Sequence, residues 1–211
     1  MEKWKKYLKP TVIIDSEFAT ITRRAKNLTS DVDDVVKKAK RLFYFVRDKI
    51  IYNPYLFTDV FKTFIASNVL KKGEGFCSQK AVLLTALARS SGIPSRLGFV
   101  DIKNHTITGK IASLHTSKIL PYHGFSEMYI NGKWIKATPA FDIFMCKKNR
   151  IIPVEFNGID HAVFHRENQD GKLHIEYTEN HGYYDDLPFD EIIDRNISDF
   201  GVDYFQKISR L

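Results

Sequence analysis

The chain has 211 residues, 44% of them hydrophobic and 27% charged, with a formal net charge of +7. That is the composition of an ordinary soluble protein, long enough to bury one sizeable core without covalent staples. Only two cysteines occur, Cys77 and Cys146. They make no disulfide framework, although a single pairing between them stays open.

The N-terminal segment MEKWKKYLKPTVI is charged and lacks a following apolar region, so no secretory signal is expected. The longest apolar stretch, around Ala81 to Ala88, is far too short to span a membrane. A cytoplasmic location is the expectation. A pI near 9.2 raises nucleic acid as a partner. The lysines are scattered, however. The one basic helix cluster, Lys37, Lys38, Lys40 and Arg41, follows Asp31, Asp33 and Asp34. Acid at a helix start and base further on is the pattern a helix dipole favours, so nucleic acid is not expected.

Val35, Val36, Ala39, Leu42, Phe43, Val46 and Ile50 recur at helical spacing and predict a helix over about 31–51, with Asp31 as cap. A second helical patch covers Val60 to Leu70, and Gly73 and Gly75 then break the pattern. The third helix opens at Cys77 and is apolar nearly all round from Ala81 to Ala88, as a helix in the centre of a domain must be. Ser90–Ser91–Gly92 with Pro94 beyond ends it.

From Ser95 the texture is that of strands, beginning with Leu97–Val100. The clearest signal is FSEMYI-NG-KWIKAT, in which Asn131–Gly132 predicts a type I′ hairpin turn. Val154–Phe156 and His174–Tyr177 are further strand candidates, Asp185–Asp186 an acid pair at a helix start, and a last helix runs from near Pro188 to Ile208. Helices first and strands second indicate an α+β domain, with helices over about 1–92 and sheet plus last helix over about 93–211.

Cys77 at a helix mouth sits where unpaired N–H groups favour thiolate over thiol. A cysteine nucleophile also needs a base and a group to hold that base. Of seven histidines, His123 leads the first strand of the predicted hairpin. Pairing Ile130 with Lys133 puts Thr138 opposite Phe125 and makes it a diagonal neighbour of His123. His105, in a loop-like stretch after Asn104, is a candidate substrate-facing residue. His161 and His165 lack a third metal ligand spaced alongside, so neither metal nor other cofactor is expected.

Segment 73–99 followed by HGFSEMYINGKWIKATPAFD at 123–142 resembles the transglutaminase-like superfamily of papain-fold cysteine enzymes. The resemblance covers roughly 40–145, and the text VEFNGIDHAVFH and IEYTENHGYYDDLP looks like the C-terminal part of a bacterial subgroup. It implies a papain-like, transglutaminase-like α+β fold with a buried central helix packed on an antiparallel sheet. It also implies Cys77 as nucleophile attacking a carbonyl, His123 as base, and an acid after the hairpin to orient it. That acid's place falls on Thr138, a residue without charge; Asp142, four residues on, is the alternative. The oxyanion donors would be the Cys77 N–H and one more group, with Asn53, Ser67 and Asn68 as upstream candidates.

The resulting expectation is cysteine-dependent acyl transfer on a peptide or protein amide, completed by water as in a peptidase or amidase. An amine acceptor would make it a transglutaminase or acyltransferase. A catalytically silent module that binds peptide or protein is the reading from another class, with Thr138 as its mark.

Overall fold

The computed structural model describes residues 4–55, 59–108, 112, 113, 115 and 117–209. After a 3-10 turn at Lys5–Leu8 come helices α1 (Ala19–Thr29) and α2 (Val35–Lys49) and strand β1 (Ile51–Tyr52). Next follow α3 (Val60–Phe64), α4 (Ala66–Lys72), β2 (Glu74–Gly75) and α5 (Cys77–Ser90). Strands β3 (Ser95–Asn104), β4 (Ile119–Ile130) and β5 (Lys133–Ala137) precede α6 (Ile143–Lys148) and β6 (Ile175–Tyr184). Helices α7 (Phe189–Phe200) and α8 (Tyr204–Ser209) close the order.

Helix α5 is the axis of the core. Every residue from Ser78 to Arg89 is buried, with α1, α2 and α4 on one side and β4 and β3 on the other. Each of Leu83, Leu84 and Leu87 is fully buried and contributes about 2 kcal/mol of transfer free energy. The one basic residue of its middle turn, Lys80, is also fully buried. Its ammonium donates to the carbonyls of Arg47 and Ile50, 3.0 and 2.6 Å away, and so closes the C-terminal end of α2. Burial pulls the Lys80 amine down to about 7. At the other end of α5, Phe76 is extended and its N–H donates to the Gln79 side chain at 3.1 Å. Gly92, with φ of 77°, supplies the left-handed turn after the helix.

The main sheet is antiparallel throughout, in the order β5-β4-β3-β6. The β4–β5 hairpin has the expected register, Ile130 against Lys133 and Ser126 against Ala137. Asn131 and Gly132 both have positive φ, 48° and 83°, as a type I′ turn requires.

Other expectations need correction. The helix placed at 31–51 begins at Val35, because the Asp34 carboxylate, rather than that of Asp31, accepts the Lys37 N–H. The patch at 60–70 is two helices, parted where Ile65 turns extended at ψ 126°. Val154–Phe156 is no strand; the Val154 carbonyl accepts from Arg47 and the Phe156 N–H donates to Tyr44. Asp185 lies before the helix it was to start, paired with Lys6, and the first turn of α7 carries Asp190 and Glu191 instead. The single C-terminal helix is broken at Gly201 (φ 92°, ψ 161°), a conformation open essentially to glycine alone. No helix among the described residues is long and apolar enough to cross a membrane.

Candidate active site

Cys77 is the first residue of α5 and is partly buried. What brings it to the sheet is Gly124. A Cβ there would lie 2.8 Å from the Ser78 Cα and 2.9 Å from its hydroxyl, so only glycine lets β4 approach the first turn of α5. The Ser78 hydroxyl lies 3.7 Å from the Cys77 sulfur and, with the amides of Gly124, Ser78 and Cys77, favours the thiolate. Burial works against them and is the larger effect, so the thiol is raised from its ordinary value. The helix-mouth argument alone anticipates the opposite sign.

His123 precedes Gly124 on β4 and is 2% exposed. Its ring packs on Phe164 at 4.9 Å between centroids. Burial pulls the imidazole down to about 3, so it is neutral near pH 7. Its Nε2 is buried with no hydrogen-bond partner; the Thr138 hydroxyl is buried too, and the polar group beside it is the Tyr177 phenol. Thr138 follows the last residue of β5, and its N–H turns away to the Ala162 carbonyl at 2.9 Å. The expected Thr138–His123 hydrogen bond is therefore not formed among the described residues.

The alternative orienting group is committed elsewhere. Asp142 caps α6, one oxygen accepting the Met145 N–H at 2.8 Å and the other the Tyr52 N–H at 2.9 Å. Through these two backbone donors the carboxylate holds β1 to the start of α6. His105, the candidate substrate-facing residue, is bound to Glu176 at 2.6 Å and is not among the residues lining the cleft at Cys77. The upstream oxyanion candidates are likewise engaged. Asn53 meets Glu74 and Tyr55, Asn68 meets the Lys62 carbonyl, and the Ser67 amide meets Asp15. The amides of Ser78 and Gly124 lie at the sulfur instead.

A cavity of about 90 Å³ opens on Cys77. Tyr52, Phe64, Phe76 and Tyr122 contribute its near walls, and Tyr204 with Ile208 of α8 the far one. None of these wall residues stands out in sequence, because their roles come from distant segments. Gly124 did carry a signal, since a glycine inside a strand marks close backbone approach.

Behind Tyr122 lies a second polar cluster. Asp101 sits at the β3 bulge, 2% exposed. It accepts from the Tyr122 N–H at 2.9 Å, from Arg195 at 2.9 Å, and pairs with His181 Nε2 at 2.6 Å. Tyr122 stacks on the His181 ring, 4.1 Å between centroids and 4° from parallel. Asp101, Glu179 and His181 form the one group with metal-ligand spacing among the described residues. The cation in it is the Arg195 guanidinium, which touches both acids. Elsewhere, His161 Nδ1 accepts the Lys136 N–H.

Comparison with known proteins agrees with this architecture. The fold is similar to that of a "putative cysteine protease" from Cytophaga hutchinsonii, at 17% identity and TM-score 0.51, covering 87% of this chain and 55% of that one. A "putative protease" of Parabacteroides distasonis overlaps at 16% identity and TM-score 0.41, covering 64% of this chain and 25% of that one. The chain thus spans about half the length of the first and a quarter of the second. No curated protein matches. The transglutaminase-like superfamily model matches residues 22–139, more than half of the chain, from within α1 through Cys77 and His123 to just past the hairpin, and the chain belongs to that superfamily.

Proposed function

We propose that the protein catalyses cysteine-dependent acyl transfer at an amide or peptide bond, completed by hydrolysis. The observation that carries this reading is the close approach of Gly124, the residue next to His123, to the first turn of α5 that Cys77 opens, where a Cβ would lie 2.8 Å from the Ser78 Cα. In this reading Cys77 is the nucleophile and His123 the base. Both are neutral at rest, because burial raises the thiol and lowers the imidazole. The thiol proton passes to His123 as the sulfur–carbon bond forms. The amides at the helix mouth face the charge that develops on the carbonyl oxygen. His123 then returns the proton to the leaving amine as the carbon–nitrogen bond breaks. Water, losing a proton to His123, releases the acid and restores the thiol.

The Thr138 position favours a second reading, a silent peptide-binding module. A triad without a charged third member loses the stabilisation of the imidazolium, and the Thr138 hydroxyl makes no hydrogen bond to His123 Nε2. Alkylation separates the two. Cys146 is 1% exposed and burial raises its thiol to about 11, so it serves as the internal reference. On the enzyme reading iodoacetamide modifies Cys77 at least about tenfold faster than Cys146, and His123→Ala removes most of that advantage. Equal, slow labelling of both thiols sinks the enzyme reading and leaves the binding module.

A further inference from the structure

The cleft at Cys77 has an occupant from its own chain. Tyr204, the first residue of α8, is 6% exposed, and its hydroxyl lies 3.0 Å from His115 Nε2. The other ring nitrogen of His115 lies 3.2 Å from the Ile119 carbonyl. A carbonyl can only accept, so Nδ1 carries the proton and Nε2 is left to accept from the phenol. Burial lowers the His115 imidazole and keeps it neutral. The phenol of Tyr204 is raised, by burial first and by the Cys77 thiolate second, which places it in the electrostatic neighbourhood of the sulfur.

We propose that this cleft is a phenol-recognising subsite: it receives the tyrosine side chain of a peptide, with His115 Nε2 accepting the hydroxyl, and Tyr204 fills that place from within the chain. The proposal deepens the acyl-transfer reading and rests on it for the bond attacked.

Three further observations carry it. No Asp, Glu, Lys or Arg lines the cleft among the described residues, so a charged side chain would be desolvated there without a partner. The free space, about 90 Å³, is smaller than the roughly 150 Å³ cavity that takes a benzene ring. An aromatic guest therefore needs Tyr204 to leave. Tyr204 is held by tertiary contacts rather than by the stability of its own helix. Helix α8 is a six-residue helix tied to α7 through Gly201, and Val202 beside that glycine is 84% exposed. A helix that short has no stability of its own, so its place depends on the stacking of Tyr204 on Phe200 and on the bond to His115. A guest competes with that self-contact, and its apparent affinity falls by the fraction of molecules that are open.

The test is binding without chemistry. In a Cys77→Ser background, blocked tripeptides with Tyr, Phe or Glu at the centre are titrated calorimetrically into protein with Tyr204 intact and into Tyr204→Ala. The Tyr peptide is expected to bind Tyr204→Ala about tenfold tighter than the intact protein. Tyr should exceed Phe by several-fold, the worth of one hydrogen bond, and Glu should not bind. Adding His115→Phe should close the gap between Tyr and Phe while Phe binding persists. Should Tyr204→Ala fail to fold, Tyr204→Phe keeps the ring and removes the bond to His115, and the same ranking is expected with a smaller gain. Equal affinities for Tyr and Glu, no gain on removing Tyr204, or no binding to the opened protein each overturn the proposal. Tyr-selective binding with an inert Cys77 would leave the subsite standing and remove the enzyme reading. A reactive Cys77 without Tyr selectivity would do the reverse.

Discussion

Two histidines on the same sheet have opposite surroundings. His181 on β6 has the buried carboxylate of Asp101 at 2.6 Å, and Arg195 and the Tyr122 amide complete the acid's partners. His123 on β4 has an aromatic ring against it and an Nε2 with no partner. The arrangement expected behind a catalytic base, an imidazole backed by a buried acid, thus exists in this protein, but two strands over and around a different ring. A buried carboxylate is tolerated only where several donors answer it, and the donors are at the β3 bulge. Asp101 accordingly holds Tyr122, His181 and Arg195 together and leaves His123 uncharged. The lesson is that the candidate base depends on a neutral mechanism, with proton transfer concerted with attack rather than a standing ion pair.

Acid stresses that difference most. Burial pulls His123 down to about 3 and His174 down to about 4, below the unfolded value near 6.5. Above pH 6.5 neither state of these rings binds a proton, so they are silent. Below it the unfolded chain takes up protons that the buried rings refuse, and stability falls as pH drops toward about 4. From pH 6.5 to 5 the two rings together should cost about 3 kcal/mol, read by urea unfolding at each pH. His174, whose two ring nitrogens are both buried without partners, supplies half of this. His174→Leu should halve the slope, and an unchanged slope would show that His174 is solvated.

Breaking the satisfied pair comes next. Asp101→Asn leaves His181 and Arg195 without their acid and should cost about 3 kcal/mol in chemical denaturation. It should also slow Cys77 alkylation, because Tyr122 borders the cleft. No loss of stability would mean that solvent already screens the cluster.

The comparison is sharpened by giving His123 what His181 has. Thr138→Asp places a carboxylate where the hydroxyl now lies. If Thr138 faces Nε2, the imidazole rises and Cys77 alkylation at pH 7 accelerates about ten- to a hundredfold, at some cost in stability for a new buried charge. A rate that stays flat while the fold survives would place Thr138 out of reach of the ring.

The smallest expected effect falls on the contact between the sheet and α5. Gly124→Ala sets a Cβ 2.8 Å from the Ser78 Cα, and backbone must shift to admit it. About 1–2 kcal/mol of stability should be lost, with Cys77 alkylation reduced by several-fold as the amide leaves the sulfur. A variant that labels normally would remove Gly124 from the account of the site.

Much of the frame is legible in the sequence. The hairpin register follows from Asn131–Gly132, since two adjacent positive-φ residues admit few loop lengths. The limits of α5 follow from Gly75 before it and Gly92 after it, and its burial from the absence of a polar face. These signals are local, and local geometry survives in any tertiary setting. Where the chain breaks without a strong punctuator, as at Ile65, or where Asp34 rather than Asp31 takes the cap, the reading slips by a few residues, because propensity there is nearly flat and packing chooses. The lone Gly201 was available as a helix break, and the apolar residues on both sides of it hid the signal.

The sequence by itself determined a thiol at the entrance of a buried helix, a histidine on a rigid hairpin, and an uncharged residue where the family places an acid. Only the tertiary structure decided their electrical state and their company. Desolvation set the thiol above its ordinary value and the imidazole below it, against the sign that the helix terminus alone implies. Asp142 went to a helix cap, the buried acid went to His181, and Tyr204 came to line the cleft that opens on Cys77. Each of these depends on which distant groups share one small dry volume, and no spacing along the chain encodes that.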